Sequence, residues 1–287
     1  MDTSRIEPNQ PKSPGASSDE WGAHVTDDTR DALASRLEEQ AADPFLQGIA
    51  ARAIALLDLL PGERVLELGC GTGVFLPALA NAVAADGEVV GLDHNPGFLE
   101  ECRQRVATGG FGAVVTLVEA DAMHLPFPSD SFDAVHVERV LMHLEDPDAA
   151  LREVCRILKP GGRLVAAEPD SAGVRTDHPD DPEAMAMIAA QDLEQVRQPA
   201  IGLELNRRMA RAGFVDRQVE VFTQFDPDYN PVALAGDRQA AEALVAAGKL
   251  DRERADAAIR SLEEAHARGE YAWIGSMVVA LGRVPTA

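Results

Sequence analysis

The chain has 287 residues, 46% of them hydrophobic, and 26 basic against 48 acidic side chains leave a formal net charge of -22. That is apolar material for a sizeable core in one large domain, or one domain with an appendage, while the negative excess repels phosphate backbones and anionic lipid. A nucleic-acid partner is therefore disfavoured and a small ligand favoured.

No apolar run approaches the roughly 20 residues of a membrane span. Cys70, Cys102 and Cys155 are scattered without metal-type spacing and no signal peptide precedes them, so a reducing, cytoplasmic setting and no metal are expected. Residues 1–18, rich in Pro, Ser and Asn, read as a disordered tail. Residues 19–60 read as amino-terminal helices. Trp21 and His24 stand at their start, either packing over a ligand or anchoring the first helix. From Asp28 to Leu60 apolar residues recur at helical spacing, and Pro44 splits the run in two before Pro61 and Gly62 end it.

The stretch from Gly62 to Gly73, GERVLELGCGTG, turns from a short apolar run (Val65, Leu66, Leu68) to dense glycine, and helical spacing follows from Val74 to Ala84. This is a buried strand, a tight turn and a helix start, with Gly69, Gly71 and Gly73 letting a ligand approach the backbone. A second strand, Glu88 to Leu92, ends at Asp93, and Pro96 opens a helix to about Ala107. Val114 to Glu119 and Phe132 to Val137 are the next strands, ending at Asp121 and at Glu138 and Arg139. Pro147 opens a helix to Leu158, the turn Lys159 to Gly162 stops it, and Arg163 to Glu168 is a fifth strand. Alternating strands and helices predict an α/β, doubly wound, Rossmann-like and mostly parallel sheet.

Beyond it, Glu183 to Val196 and Leu203 to Ala212 read as helices, Phe214 to Phe222 as a strand, Ala233 to His266 as a helical pair broken near Gly248, and Tyr271 to Leu281 as a last strand. The last two strands complete a seven-stranded sheet as an antiparallel edge pair. The inserted helices and the amino-terminal ones are available to roof the crevice at the strand ends.

Asp93 lies about 20 residues beyond the glycine turn, where a carboxylate accepts both hydroxyls of a ribose. The glycine pattern is GxGxG, with Val74 where a dinucleotide fold needs its third glycine. Glu67, just before the turn, suits ammonium and sulfonium groups better than a pyrophosphate.

Together VLELGCGTG at Val65 to Gly73, GLDHNPGFLE at Gly91 to Glu100, EADAMHLPFPSDSFDAVHVERVLMHLEDP at Glu119 to Pro147 and LREVCRILKPGGRLVAAEPD at Leu151 to Asp170 resemble class I methyltransferases dependent on S-adenosylmethionine. The resembling branch contains the ubiquinone and menaquinone methyltransferases and many small-molecule enzymes, and the likeness covers roughly Leu56 to Val221. It implies a methyltransferase domain over 61–287 with helical insertions near 180–212 and 231–268, and a lid over 19–60. It further implies S-adenosylmethionine as cofactor and S-adenosylhomocysteine as product; the negative charge and the apolar helical insertions fit a small, hydrophobic acceptor such as a natural product or quinone, and a homodimer is left open.

Carried over residue by residue, Gly69, Cys70 and Gly71 lie against the methionine part and ribose, and Glu67 helps hold the amino group. Asp93 accepts the ribose hydroxyls and His94 borders the adenosine. Asp121, Ala122 and Met123 surround the adenine, while Glu138 and Arg139 line the methyl-donor end. His143 is the first choice of base, with Glu138 and His24 behind it. A half-buried, backbone-bonded histidine is the alternative for His143. Glu168 and Asp170 read as an ordinary turn at the crevice rim. Two other activities fit the same cofactor residues: a cyclisation or rearrangement without methyl transfer, and a non-catalytic nucleoside-binding subunit.

Overall fold

Local chemistry sets where many elements begin. Asp43, Asn95, Asp146 and Asp181 each precede a proline, and each side chain accepts a backbone N–H of the following helix: Leu46 at 2.9 Å, Gly97 at 2.9 Å, Ala149 at 2.9 Å and Ala184 at 3.0 Å. The carboxylate or amide satisfies an orphan donor and the proline presets φ for the first turn. The computed structural model describes residues 27–110, 113–177, 180–194, 196–228 and 231–286. The expected tail 1–18, Trp21 and His24 lie outside the described residues.

In chain order the elements are α1 (Asp27–Ala42), α2 (Pro44–Leu57), β1 (Arg64–Leu68), α3 (Leu76–Val83), β2 (Glu88–Asp93), α4 (Pro96–Gly109), β3 (Val114–Glu119) and β4 (Phe132–Glu138). After a 3-10 turn at Leu141–His143 come α5 (Pro147–Ile157), β5 (Leu158–Pro169), β6 (Arg175–Thr176), α6 (Pro182–Leu193), α7 (Ile201–Ala212), β7 (Val215–Asp226), α8 (Pro231–Ala246), α9 (Arg252–Ala267) and β8 (Trp273–Arg283).

The sheet runs β3, β2, β1, β4, β5, β8, β6, with β7 also paired to β8. The pairs among β1 to β5 are parallel, and β8 is antiparallel to β5, β6 and β7. The antiparallel edge pair is therefore present, and the two-residue β6 adds an eighth strand. Chain order leaves β1 toward β2 and β3, then resumes on its other side at β4. The crevice of an open α/β sheet forms where that order reverses, at the carboxyl ends of β1 and β4.

Two expected boundaries are corrected. The second helix ends at Leu57, not at Pro61, because Asp58 takes a left-handed φ of 48° and its N–H closes onto Ala55 O. The strand β5 starts at Leu158, so the Lys159 to Gly162 segment lies within it. Leu158 pairs with Phe132, and Gly161 and Gly162 exchange hydrogen bonds with Val284 at 3.0 and 2.9 Å.

Both faces of the central strands are buried, while β7 at the edge is largely exposed. Leu66, Leu68, Val135, Val137, Leu164, Ala166 and Val278 pack in one cluster with residues of α5 and α7. Val65, Ala134, Val165, Ala167 and Val279 form the other with α2 and α3. The inserted α6, α8 and α9 make a third cluster around Met185, Ile188, Leu244, Ile259 and Leu262. Arg254 of α9 clamps Asp181 at the start of α6 at 2.7 Å. Gln198, which follows α6, donates to the Leu144 carbonyl at 3.1 Å and so ties this layer to the loop after β4. Among the described residues no helix is long and apolar enough to cross a membrane.

Candidate functional site

The glycine turn is built by the strand beside it. Gly69 and Cys70 both donate to the Leu92 carbonyl, at 2.7 and 2.9 Å, so the chain folds back over the end of β2. Gly69, Gly71 and Gly73 have φ of 72°, 51° and 82°, a region that only glycine enters freely. A Cβ on Gly69 would overlap the Val140 side chain. The loop and the segment after β4 are thus in direct contact.

Asp93, 7% exposed, ties this turn to the next element. One carboxylate oxygen accepts Gly71 N–H and the other Asn95 N–H, both at 2.9 Å. Burial pushes its pKa up while those amides pull it down, and the net shift is upward. An ionised carboxylate has about four acceptor sites, so these two bonds leave capacity for a ligand. Half-exposed His94 places Nδ1 3.6 Å from Asp93. Ala120 donates to the Asp93 carbonyl at 3.1 Å, which brings the loop after β3 alongside. There Asp121 accepts Met123 N–H at 2.8 Å and faces His124 Nδ1 at 3.1 Å, with Ala122 buried and Met123 partly buried.

On the face covered by α2 and α3, strand alternation places charged groups where core residues belong. Glu67 of β1 is in register with His136 of β4, and Glu67 Oε2 lies 2.7 Å from His136 Nδ1. His136 Nε2 lies 4.0 Å from Glu138, two residues further along β4. All three are buried, and neither His136 Nε2 nor either Glu138 oxygen has a hydrogen-bond partner. Burial works against the charge on His136, but Glu67 and then Glu138 outweigh it and its pKa rises. Burial raises the pKa of Glu67 and of Glu138 against the pull of His136. Arg139, at a strained φ of 54°, sets Nε 3.5 Å from Glu138 and donates to Gln40 of α1 at 2.6 Å.

That contact is one of several by which α1 sits on the turn. Leu37 lies over Gly71, Thr72 donates to Glu38 at 2.9 Å, and Arg105 pairs with Glu38.

Glu168 is no ordinary turn residue. Fully buried at the end of β5, it accepts N–H from Val140 and Leu141 at 2.9 and 2.7 Å and from Met142 at 3.3 Å. It thereby fixes the turn that carries His143, whose own N–H donates to Val140 O at 3.0 Å. Burial outweighs the amides and pushes the Glu168 pKa up to about 7. A raised carboxylate pKa means that its contribution to stability is present at low pH and is lost as pH rises toward 7. Between pH 5 and 8, wild type should lose about 2–3 kcal/mol relative to Glu168→Gln, measured by denaturant unfolding. Parallel pH profiles would contradict this.

The fold therefore gathers Glu67, Gly69, Cys70, Gly71, Asp93, Glu138 and Arg139 around the carboxyl ends of β1, β2 and β4, with the Asp121 loop on the β2 side and His143 beyond β4. His136 was not among the expected residues. Its signal is a histidine between Val135 and Val137 in an apolar strand, opposite the one acidic residue of β1.

Residues 66–166 match the model of a family described as "Methyltransferase domain". An uncharacterized 37.1 kDa protein in transposon TN4556 of Streptomyces fradiae is 36% identical over 218 residues, 75% of this chain and 62% of that protein. Demethylmenaquinone methyltransferase of Symbiobacterium thermophilum is 38% identical over 115 residues, 40% of this chain and 46% of the relative. This chain thus spans about half to three fifths of those two relatives. Among solved structures, a putative methyltransferase from Bacillus halodurans superposes with a TM-score of 0.57 at 18% identity, over 83% of this chain and 99% of its own. That likeness is one of fold.

Proposed function

The chain carries a class I methyltransferase domain, and from that premise we propose that it moves the methyl group of S-adenosylmethionine to an O, N or C atom of a small, hydrophobic organic acceptor, releasing S-adenosylhomocysteine. The observation that carries this reading is the buried Asp93 beneath a turn in which Gly69, Gly71 and Gly73 carry no side chain. Its spare acceptor sites suit the two ribose hydroxyls of an adenosine, and the acidic surroundings of Glu67 and Glu138 suit a cation while opposing a pyrophosphate.

In this reading Gly69, Cys70 and Gly71 offer backbone to the ligand and Glu67 supports its amino-acid end. His94 borders the adenosine, and Asp121, Ala122 and Met123 take the adenine. Of the stretch 19–60 expected as a lid over a domain of 61–287, the helix α1, seated on the turn, serves as the lid, whereas α2 is packed into the core on one face of the sheet. The inserted helices roof the acceptor.

The cofactor supplies a methyl group that is already activated. What the protein adds is placement of the acceptor atom about 3 Å from that methyl, in line with the breaking bond, and exclusion of water. For an acceptor with an acidic proton, His143 is the first candidate base, then Glu138 and His24, a contribution of roughly 10²- to 10⁴-fold. The net charge of -22 favours a small acceptor over a nucleic acid.

The relative from Symbiobacterium thermophilum is named for demethylmenaquinone, and quinone-like compounds are the first to try. Incubation with methyl-labelled S-adenosylmethionine and a panel of quinones, phenols and amines should give a labelled product and one S-adenosylhomocysteine per product. A product of unchanged mass, or cofactor binding without turnover across the panel, would count against transfer.

A further inference from the structure

We infer that His136 is a positioning residue which, clamped by Glu67, orients Glu138 and keeps it charged as the counter-ion for the ammonium group of the cofactor's methionine part. The inference rests on the cofactor reading above. Glu138 is 5% exposed, neither oxygen accepts a hydrogen bond, and its nearest cations are longer ion-pair contacts, Arg139 Nε at 3.5 Å and His136 Nε2 at 4.0 Å; it stands at the carboxyl end of β4 next to the segment that touches Gly69. A carboxylate buried in that state is costly unless a cation or donor completes it. Asp93 at the end of β2 marks the ribose side, so the other end of an adenosine derivative lying across β1 reaches β4. Glu67 is already engaged by His136 at 2.7 Å, which leaves Glu138 as the carboxylate whose oxygens accept no hydrogen bond.

Two positive groups compete for it. A carboxylate against the sulfonium would stabilise a charge that disappears on transfer and would slow the reaction. Against the ammonium, whose charge is unchanged, it holds the ligand at no cost to the rate. That assignment leaves His143 as the candidate base among the described residues.

The charged groups around Glu138 are Glu67 on β1, His136 on β4, Arg139 in the segment just after β4, and Glu168 on β5. The helices over this face present apolar buried residues, Ile49, Ala53 and Leu57 from α2 and Leu76, Leu79 and Val83 from α3. The Phe75 ring meets His136 edge-on at 5.5 Å. The helix α1 reaches the cluster through Gln40 on Arg139. Cation binding favours ionised Glu138, so affinity falls as pH drops through its pKa. Removing the positive His136 raises that pKa and moves the fall to higher pH.

Calorimetry between about pH 5.5 and 8 tests this with S-adenosylhomocysteine, which has the ammonium, and methylthioadenosine, which lacks the amino-acid tail. Glu138→Gln should weaken S-adenosylhomocysteine roughly 10- to 100-fold and leave methylthioadenosine unchanged. His136→Gln should shift the midpoint of the S-adenosylhomocysteine pH profile upward. A uniform loss with an unmoved midpoint would mean a merely structural His136 and would overturn the inference. Should His136→Gln not fold, Glu138→Gln decides alone: equal loss for both ligands, or loss for neither, overturns it. Wild type that binds neither ligand would instead refute the cofactor reading itself.

Discussion

Asp93→Ala is expected to lower the affinity for S-adenosylmethionine by at least about 100-fold. Two charge-assisted hydrogen bonds to ribose hydroxyls, each about 1.5–3 kcal/mol, are removed together. The structure adds a second cost. Gly71 N–H and Asn95 N–H both donate to this carboxylate at 2.9 Å, so alanine orphans the amides that hold the turn and the start of α4. The variant should therefore also unfold more easily, by about 1–3 kcal/mol. Asp93→Asn separates the two effects, since the amide oxygen keeps an acceptor for one N–H while the charge is gone. It should bind more weakly than wild type and more tightly than alanine, with only part of the stability restored, because the amide NH2 then faces the second N–H. Undiminished affinity in a folded Asp93→Ala, read by calorimetry, would remove the ribose assignment.

Gly69→Ala should be the most disruptive single methyl in the crevice. A side chain at φ 72° costs about 1–2 kcal/mol, and the new Cβ overlaps Val140. Val140 is β-branched and its N–H is fixed by Glu168, so it cannot withdraw cheaply, and overpacking adds about 1–3 kcal/mol. We expect a total loss of about 2–5 kcal/mol in denaturant unfolding, with cofactor binding lost alongside. Gly62→Ala is the control: its φ is 87° but nothing lies within 4 Å of the added carbon, so only the conformational cost applies. Equal losses in the two variants would show that contact with Val140 does not matter.

What the residues reveal on their own follows from the range of the interactions. The first four parallel strands, the helix starts at Asx-Pro pairs and the glycine turn were all legible, because each is set by neighbours a few positions away. The role of Glu168 was not legible. Its three donors lie 26 to 28 residues earlier in the chain, and Pro169, Asp170 and Ser171 read locally as a turn. The Lys159 to Gly162 segment looked like a helix stop for the same reason, whereas pairing with Phe132 and Val284 draws it into β5. The seating of α1 depends on Leu37, Glu38 and Gln40 meeting Gly71, Thr72 and Arg139, which periodicity does not encode. His136 left only half a signal: a histidine inside an apolar strand stands out locally, but its alignment with Glu67, 69 residues earlier, is set by the pairing of β4 with β1.

A crystal structure of the protein grown with S-adenosylhomocysteine tests the central claim most directly. Electron density for an adenosine whose ribose meets Asp93, with the amino-acid end over β4, is the predicted result. An empty crevice at full ligand concentration, or a pyrophosphate bound on the Gly69 to Gly73 turn, would contradict it.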